Sequence, residues 1–396
     1  MPEPPVFRTP TLDPLELEVL RLIDGLRDDL RHRVAQPRRW SGTLRRTTFA
    51  RAVQGSNSIE GYNASLDDVA AAVQGEPTLD ATAETQLALT GYRDAMTYML
   101  QVAEDDNAVI DEGMIKALHF MMLKHDLSKS PGRWRPGYID VGNDATGQIV
   151  YEAPDAELVP SLIATMLKAL HHDGSAALVK AAMAHLNLVM IHPFRDGNGR
   201  MARCLQTLVI AREPSNAPVF SSVEEYLGRN TQAYYDVLAD VGQGGWHPDN
   251  DARPWLRFML TAHYRQAKTH LRRIEEIERL YGQCLELAAH HRLPDRCAAG
   301  LSEVALGLRL RRNSYRTVIE ASAGEAISEL VASRDLQAMV KAGLLTPHGE
   351  TRGRYYIGAP SMLKVRDDIR AGRPPRGEYD PFVVAADTLQ LSLDTG

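Results

Sequence analysis

Residues 192–203 read His-Pro-Phe-Arg-Asp-Gly-Asn-Gly-Arg-Met-Ala-Arg, a polar, glycine-rich loop set between two apolar stretches. Leu186, Val189, Met190 and Ile191 lead into it, and Cys204, Leu205, Leu208, Val209 and Ile210 follow it at helical spacing. Pro193 disfavours helix at the residue before it, so the first helix ends near His192 and presents that imidazole at the head of the loop. Gly197-Asn198-Gly199 can take positive φ and aim successive amide N–H groups into one concavity, an anion nest. The second helix starts at about Arg200, and its N-terminal dipole faces the same loop. Arg200 and Arg203 stand one turn apart and reach one polyphosphate together. Asp196 is a hard oxygen ligand beside the nest, suited to a Mg²⁺ ion that bridges phosphates. Such a loop costs backbone entropy and buries little, so folding alone does not favour it. A base, a nest, a carboxylate and two guanidinium groups describe a nucleoside-triphosphate site with a proton acceptor.

The rest of the chain reads as mainly helical. Leu15 to Leu30 recur at helix spacing behind Asp13-Pro14, a cap followed by proline at the first helical position. Further helices are expected over 43–59, 66–73, 84–103, 111–123, 156–171 and 175–191. The stretch 130–154 breaks this pattern with Pro131, Gly132, Pro136, Gly137, Gly142 and Gly147. Its β-like runs, 138–141 and 148–151, predict a hairpin with a polar tip. Long helices over 253–288 connect to a segment whose order, helices and then a small hairpin in LLTPHGETRGRYYIG, is that of a winged helix-turn-helix. The tail from Pro360 receives no fold.

Length and charge set the outer limits. A chain of 396 residues suggests two or three domains. The formal net charge of −6 excludes a globally basic nucleic-acid coat. Cys204, Cys284 and Cys297 are widely spaced and form neither a CxxC pair nor a disulfide framework. The first residues lack the basic-then-apolar pattern of a signal peptide, and no apolar run approaches the roughly 20 residues of a membrane helix. The expectation is a cytoplasmic protein without a membrane partner. His171-His172 and His290-His291 lack further ligands in sequence, so metal binding is not expected there.

The twelve residues from His192 to Arg203 resemble the signature of the Fic (filamentation induced by cAMP) family, HPFx[D/E]GNGRxxR, at every defined position. The helical context from about Leu15 to Tyr264, with the hairpin, resembles that family too. The resemblance implies a Fic-type helical bundle with a small β-hairpin flap, followed here by the winged-helix module. It also implies transfer of AMP from ATP to a Ser, Thr or Tyr hydroxyl of a target protein. His192 is then the general base and Asp196 the Mg²⁺ ligand. Gly197, Asn198 and Gly199 supply amides to the phosphates, and Arg200 and Arg203 clamp them. Phe194 points inward and anchors the loop. Upstream, Ser56-Asn-Ser-Ile-Glu60-Gly61 resembles the family's inhibitory motif, [S/T]xxxE[G/N]. Glu60 would pair with Arg203 and leave the α-phosphate of ATP misaligned.

The hairpin 137–151 corresponds to the flap that holds an extended target segment, with Val150 and Tyr151 as rim contacts. Of the pair Tyr234-Tyr235, Tyr235 is favoured at the base of the nucleotide, and Asn57, one turn before Glu60, is a further contact. The division expected is an N-terminal helical region to 110, a catalytic core over 111–250, linking helices over 251–295, a winged-helix module over 296–360 and a tail. Arg334, Lys341, Arg352 and Arg354, with Arg309, Arg311 and Arg312, are candidate phosphate contacts if the module binds DNA. Self-modification and a homodimer are expected partners of the transferase reading. Two alternatives stay open: a different nucleotide donor or removal of AMP, and a DNA-binding regulator whose Fic domain senses nucleotide.

Overall fold

The computed structural model describes residues 3–142, 147–213, 218–350, 353–373 and 379–394. Asp13 caps the first helix, α1 (Pro14–Ala35), through a reciprocal bond with Glu16. Then come α2 (Ser41–Ile59), α3 (Leu66–Val73), α4 (Ala83–Ala103) and α5 (Glu112–Leu123). An antiparallel hairpin, β1 (Asp140–Gly142) and β2 (Ile149–Glu152), pairs Val141 with Tyr151. The helices α6 (Val159–His172), α7 (Ala177–Ile191) and α8 (Asn198–Ala211) follow, then α9 (Glu224–Arg229), α10 (Thr231–Gly242) and the 38-residue α11 (Arg253–His290).

The pair α7 and α8 forms the centre. Both are buried on nearly every face, so neither shows an amphipathic stripe in the sequence. The loop joining them opens at one end of the bundle, which is where the polar motif must emerge. Beside this pair, α2 crosses α9 at two glycines. A Cβ on Gly55 would lie 2.3 Å from the Glu224 carbonyl oxygen, and one on Gly228 would lie 2.7 Å from the Gly55 Cα. Only glycine permits that approach, and it fixes the helix carrying Ser56 and Glu60 against its neighbour. Glu16, fully buried, receives Arg253 at 2.7 Å and Arg257 at 2.9 Å, which ties α1 to α11.

Beyond α11 lie α12 (Cys297–Ala305), α13 (Arg312–Ala323), α14 (Glu329–Lys341) and a second hairpin, β3 (Leu345–His348) with β4 (Tyr355–Gly358). Leu310 adds a single bridge to Tyr356. This part has its own core, but that core also draws in Leu30 and Val34 from α1, Leu44 from α2 and Trp40 between them. The tail, to which the sequence reading assigned no fold, is helical in its described residues. Pro360 and Pro381 each open a helix, α15 (Pro360–Ala371) and α16 (Pro381–Asp394), and Ala385 is buried in the main core. Proline at the first helical turn loses no hydrogen bond, so it can open a helix.

Candidate functional site

The loop between α7 and α8 is held from three sides. Asn198 is buried, and its side-chain amide both accepts from the Phe194 N–H at 2.8 Å and donates to the Phe194 carbonyl at 2.9 Å. Phe194 is fully buried, as expected, and stacks on His119 with ring centroids 3.6 Å apart. The Gly132 N–H donates to His119 Nδ1, so Nε2 carries the proton and donates to the Asp196 carbonyl at 2.8 Å. Burial holds the His119 pKa down to about 4, so this imidazole is a neutral strut. Arg135 closes the third side. Its guanidinium donates to the carbonyls of His192, Gly137 and Pro154, joining the loop to the base of the first hairpin.

His192 ends α7 with φ of 52°, a left-handed conformation uncommon outside glycine. Its Nδ1 lies 3.1 Å from the Val189 carbonyl, which places the proton on Nδ1 and leaves Nε2 with a free lone pair. Burial and the nearby Arg135 lower its pKa, against the pull of the Val189 carbonyl, Glu60 and Asp196. The imidazole is therefore neutral at pH 7 and able to accept a proton.

Gly197 opens α8 with φ of 75°. Asp196 lies alongside, accepting from the Gly197 N–H at 2.5 Å and facing Lys129 Nζ at 2.6 Å. Burial alone would push the Asp196 carboxyl up. Lys129, Arg200 and the Gly197 amide outweigh it and hold the group below the ordinary carboxylate range. A cation thus already stands against this carboxylate. The donor fits Mg²⁺, which takes one or two carboxylates and completes its shell with phosphate and water oxygens. No group of three or more His, Cys, Asp or Glu able to hold a metal occurs among the described residues.

Arg200 and Arg203, one turn apart, are both buried and differ in their partners. Arg203 Nε donates to Ser56 Oγ at 2.8 Å, and Nη2 donates to the Ser56 carbonyl at 3.0 Å and to Glu60 Oε1 at 2.6 Å. Burial would lower its pKa, but Glu60 raises it well above the ordinary value. Arg200 is 0% exposed, yet none of its three guanidinium nitrogens has a hydrogen-bond partner among the described residues. Its nearest company is Asp196 at 3.7 Å and the Tyr62 ring at 5.3 Å. Arg203 Nη1 is unpartnered as well. Arginine keeps its charge in proteins, so a buried guanidinium without acceptors calls for an anion.

Glu60 sits on this cradle. It caps α2 just before Gly61, whose φ of 84° turns the chain away. A Cβ on Gly199 would lie 2.5 Å from Glu60 Oε1 and 3.0 Å from Arg203 Nη1. The carboxylate therefore rests against the first turn of α8, a helix N-terminus that favours anions. Tyr235 is 45% exposed, and its hydroxyl donates to the Ile59 carbonyl at 3.1 Å, beside Glu60. Tyr234 is buried against His185. Asn57 is fully buried; its amide donates to the Val53 carbonyl, and its Oδ1 has no partner among the described residues.

The structure corrects the expectation for the flap rim. Tyr151 is buried and its hydroxyl donates to the Met190 carbonyl at 2.7 Å, so it anchors the hairpin. Ile149 and Val150 are the exposed apolar side chains of that strand. Residues 143–146, at the hairpin tip, lie outside the described residues. Lys129, Tyr62, His119 and Arg135 were missed in the sequence. Each lies more than 50 residues from His192, outside any motif, and only the Gly-Arg-Trp-Arg-Pro-Gly context of Arg135 hinted at a constrained turn.

Residues 109–210 match the Fic/DOC family. Among curated proteins the chain is similar to protein adenylyltransferase fic-1 of Caenorhabditis elegans, 27% identical over 63% of this chain and 46% of that protein. It is also similar to protein adenylyltransferase Fic of Nematostella vectensis, 26% identical over 66% and 58% respectively. The chain thus spans about half the length of these relatives. A crystal structure of a Fic family protein from Desulfovibrio desulfuricans shares the fold over 89% of this chain and 98% of that one, at 23% identity and a TM-score of 0.56. Fic-1 of C. elegans shares it over 66% of this chain and 73% of that one, at 23% identity and a TM-score of 0.51.

Proposed function

We propose that this chain, whose residues 109–210 form a Fic/DOC domain, transfers AMP from ATP to a protein hydroxyl and is restrained by Glu60. One observation carries the reading: Arg200 is buried without a hydrogen-bond acceptor among the described residues, while Glu60 occupies Arg203 on the same cradle. The names of the relatives, protein adenylyltransferases, support it. The triphosphate lies along the Gly197-Asn198-Gly199 amides with Arg200 and Arg203 on its terminal phosphates. The target hydroxyl oxygen attacks the α-phosphorus, and His192 Nε2 takes its proton. The bond from that phosphorus to the bridging oxygen breaks, and pyrophosphate leaves. Asp196 would hold a magnesium ion, which would supply positive charge against the leaving group.

With Glu60 on Arg203 the terminal phosphate loses one clamp and the α-phosphorus drifts from in-line geometry. A charge-assisted pair of this kind contributes roughly 1.5–3 kcal/mol, and misalignment of that order slows a reaction about 100-fold. Val150 at the hairpin edge supports an extended target segment added to β2. The test is intact-mass spectrometry after incubation with ATP and Mg²⁺ of wild type, Glu60→Gly and Glu60→Gly/His192→Ala. An AMP adduct on the first variant alone is expected. Equal modification of wild type and Glu60→Gly would remove the brake, and an adduct that survives loss of His192 would remove the base.

For residues 297–358 the order α12, α13, α14, β3, β4 with the Leu310 bridge supports a winged-helix reading. Its use on DNA is weakened. Arg309 pairs with Asp67 and Asp68 and is buried, and Arg311 faces Glu76 at 3.7 Å. Arg312 pairs with Glu329. Arg334, Lys341 and Arg354 are exposed, and Arg352 lies outside the described residues. No helix among the described residues is long and apolar enough to cross a membrane.

A further inference from the structure

A cavity of about 300 Å³ lies away from the loop of α7 and α8, where α2, α9, α11 and α15 meet. Its wall is dominated by arginine. Arg51 comes from α2, Arg229 from α9, Arg272 and Arg273 from α11, and Arg366 and Arg370, one turn apart, from α15, with Arg373 just past its end. The carboxylates that answer them are few. Glu225 takes both Arg273 nitrogens at 2.6 Å and Arg229 at 2.6 Å, and it stands 3.9 Å from Arg51. Glu276 takes Arg373 at 2.6 Å and lies 3.6 Å from Arg272. Asp367 meets Arg366 from the solvent side at 2.8 Å. Among the described residues the cations exceed these carboxylates by four.

That excess is costly to the fold. Arg51 is held down to about 10, first by burial and then by Arg273, Arg229 and Arg370. Arg370 is lowered too, by burial and by Arg366 and Arg373. Guanidinium groups brought this close around a concave space repel one another unless an anion joins them. The floor is different: Leu44, Ile277 and Leu280 are buried apolar side chains. A polar wall over an apolar floor, at the small end of ligand-pocket volumes, fits a compact molecule with several phosphates and an apolar portion.

We infer that this arginine-walled cavity is a second anion site, taking a small polyphosphorylated molecule such as a nucleoside polyphosphate. Its occupant touches α2 at Arg51, nine residues before Glu60 on the same helix, and α15 through Arg370. It therefore spans the helix that carries the inhibitory motif and the C-terminal part of the chain.

The experiment titrates inorganic tripolyphosphate into the full-length protein by calorimetry. Wild type is compared with Arg200→Ala, which weakens the loop site, and with Arg51→Gln/Arg370→Gln, which weakens the cavity. Binding that persists in Arg200→Ala and weakens roughly tenfold or more in the cavity variant is the expected result. Should that variant fail to fold by circular dichroism, Arg366→Gln/Arg370→Gln, confined to the outer helix, takes its place with the same expectation. Cavity variants that bind as wild type does, with loss in Arg200→Ala alone, would overturn the inference. So would binding of a short DNA duplex, sensitive to Arg51 and Arg370, without binding of tripolyphosphate.

Discussion

Arg200 and Arg309 are both buried arginines, and their surroundings could hardly differ more. Arg309 lies where the C-terminal part meets α3. Its backbone N–H and guanidinium donate to Asp67, to Asp68 and to the Pro77 carbonyl at 2.7–3.2 Å. Arg200 lies at the start of α8 with no acceptor at hydrogen-bond distance among the described residues. Folding alone explains the first: two carboxylates and a cation pair with one another and join distant segments. It does not explain the second, because desolvating a guanidinium whose carboxylate neighbour, Asp196, stands at 3.7 Å without a hydrogen bond opposes folding. A cation left without hydrogen-bond acceptors among the described residues is suited to an anion that arrives later.

The contrast breaks most easily at the satisfied end. Arg309→Ala leaves Asp67 and Asp68 facing a vacated space, and removing one partner of a buried pair typically costs about 3–5 kcal/mol. Denaturant unfolding is expected to show a loss of that order, with adduct formation per folded molecule unchanged. A loss below about 1 kcal/mol would mean that the ion pairs at this junction are ornamental.

A buried anion sharpens the comparison. Glu224 on α9 is fully buried; Thr207 donates to its Oε1 at 2.9 Å, and Oε2 has no partner among the described residues. A carboxylate can resolve that by taking a proton, which a guanidinium cannot resolve by losing one. Burial pushes its pKa up to about 7 from 4.5, against Thr207, Arg203 and Tyr92. Below about pH 4.5 the group is protonated folded or unfolded. Between there and pH 7 only the folded state keeps the proton, so stability falls as pH rises through this window and levels off above it. The whole span is on the order of 3 kcal/mol, at about 1.4 kcal/mol per pKa unit. Glu224→Gln is expected to flatten the slope in unfolding curves from pH 4.5 to 8. A slope unchanged by the substitution would assign it to other groups.

The motif from His192 to Arg203 was legible because the whole device is local: one helix end, one loop, one helix start. Glu60 was legible through a second short motif, and its contact with Arg203 spans 143 residues. What sequence could not rank was which cations are already committed. Arg309 reads as a free basic residue until α3 places Asp67 and Asp68 against it, 242 and 241 residues away. Tyr151 was misassigned for a different reason. Successive strand residues face opposite sides, and the register that turns Val150 out and Tyr151 in is set by pairing with β1 and by packing on α7. The cavity walled by Arg51, Arg273 and Arg370 had no local signature, since its wall is assembled from four helices.

At the unsatisfied end, Arg200→Ala should separate binding from stability. Loss of one charge-assisted phosphate contact is worth roughly 1.5–3 kcal/mol, about tenfold to a hundredfold in ATP affinity. The melting temperature is expected to hold or rise, because a buried charge without a hydrogen-bonded acceptor among the described residues has left the interior. If Arg200→Ala melts as low as Arg309→Ala, the two arginines belong to one class and the contrast fails.

The smallest effect lies between these extremes, at Lys129. Its ammonium stands 2.6 Å from Asp196, where a metal ion would be held, and both side chains are about 30% exposed. A pair this wet contributes only about 0.2–1 kcal/mol, so Lys129 competes with a divalent cation without excluding it. Lys129→Met in the Glu60→Gly background is therefore expected to lower the Mg²⁺ concentration for half-maximal adduct formation by a few-fold at most, leaving the saturated rate unchanged. Were Lys129 instead a phosphate contact, the same substitution would raise the ATP requirement and leave the Mg²⁺ requirement where it was. Titrating each against a fixed excess of the other separates the two, and decides whether Lys129 keeps Asp196 paired before substrate arrives, as Glu60 does for Arg203.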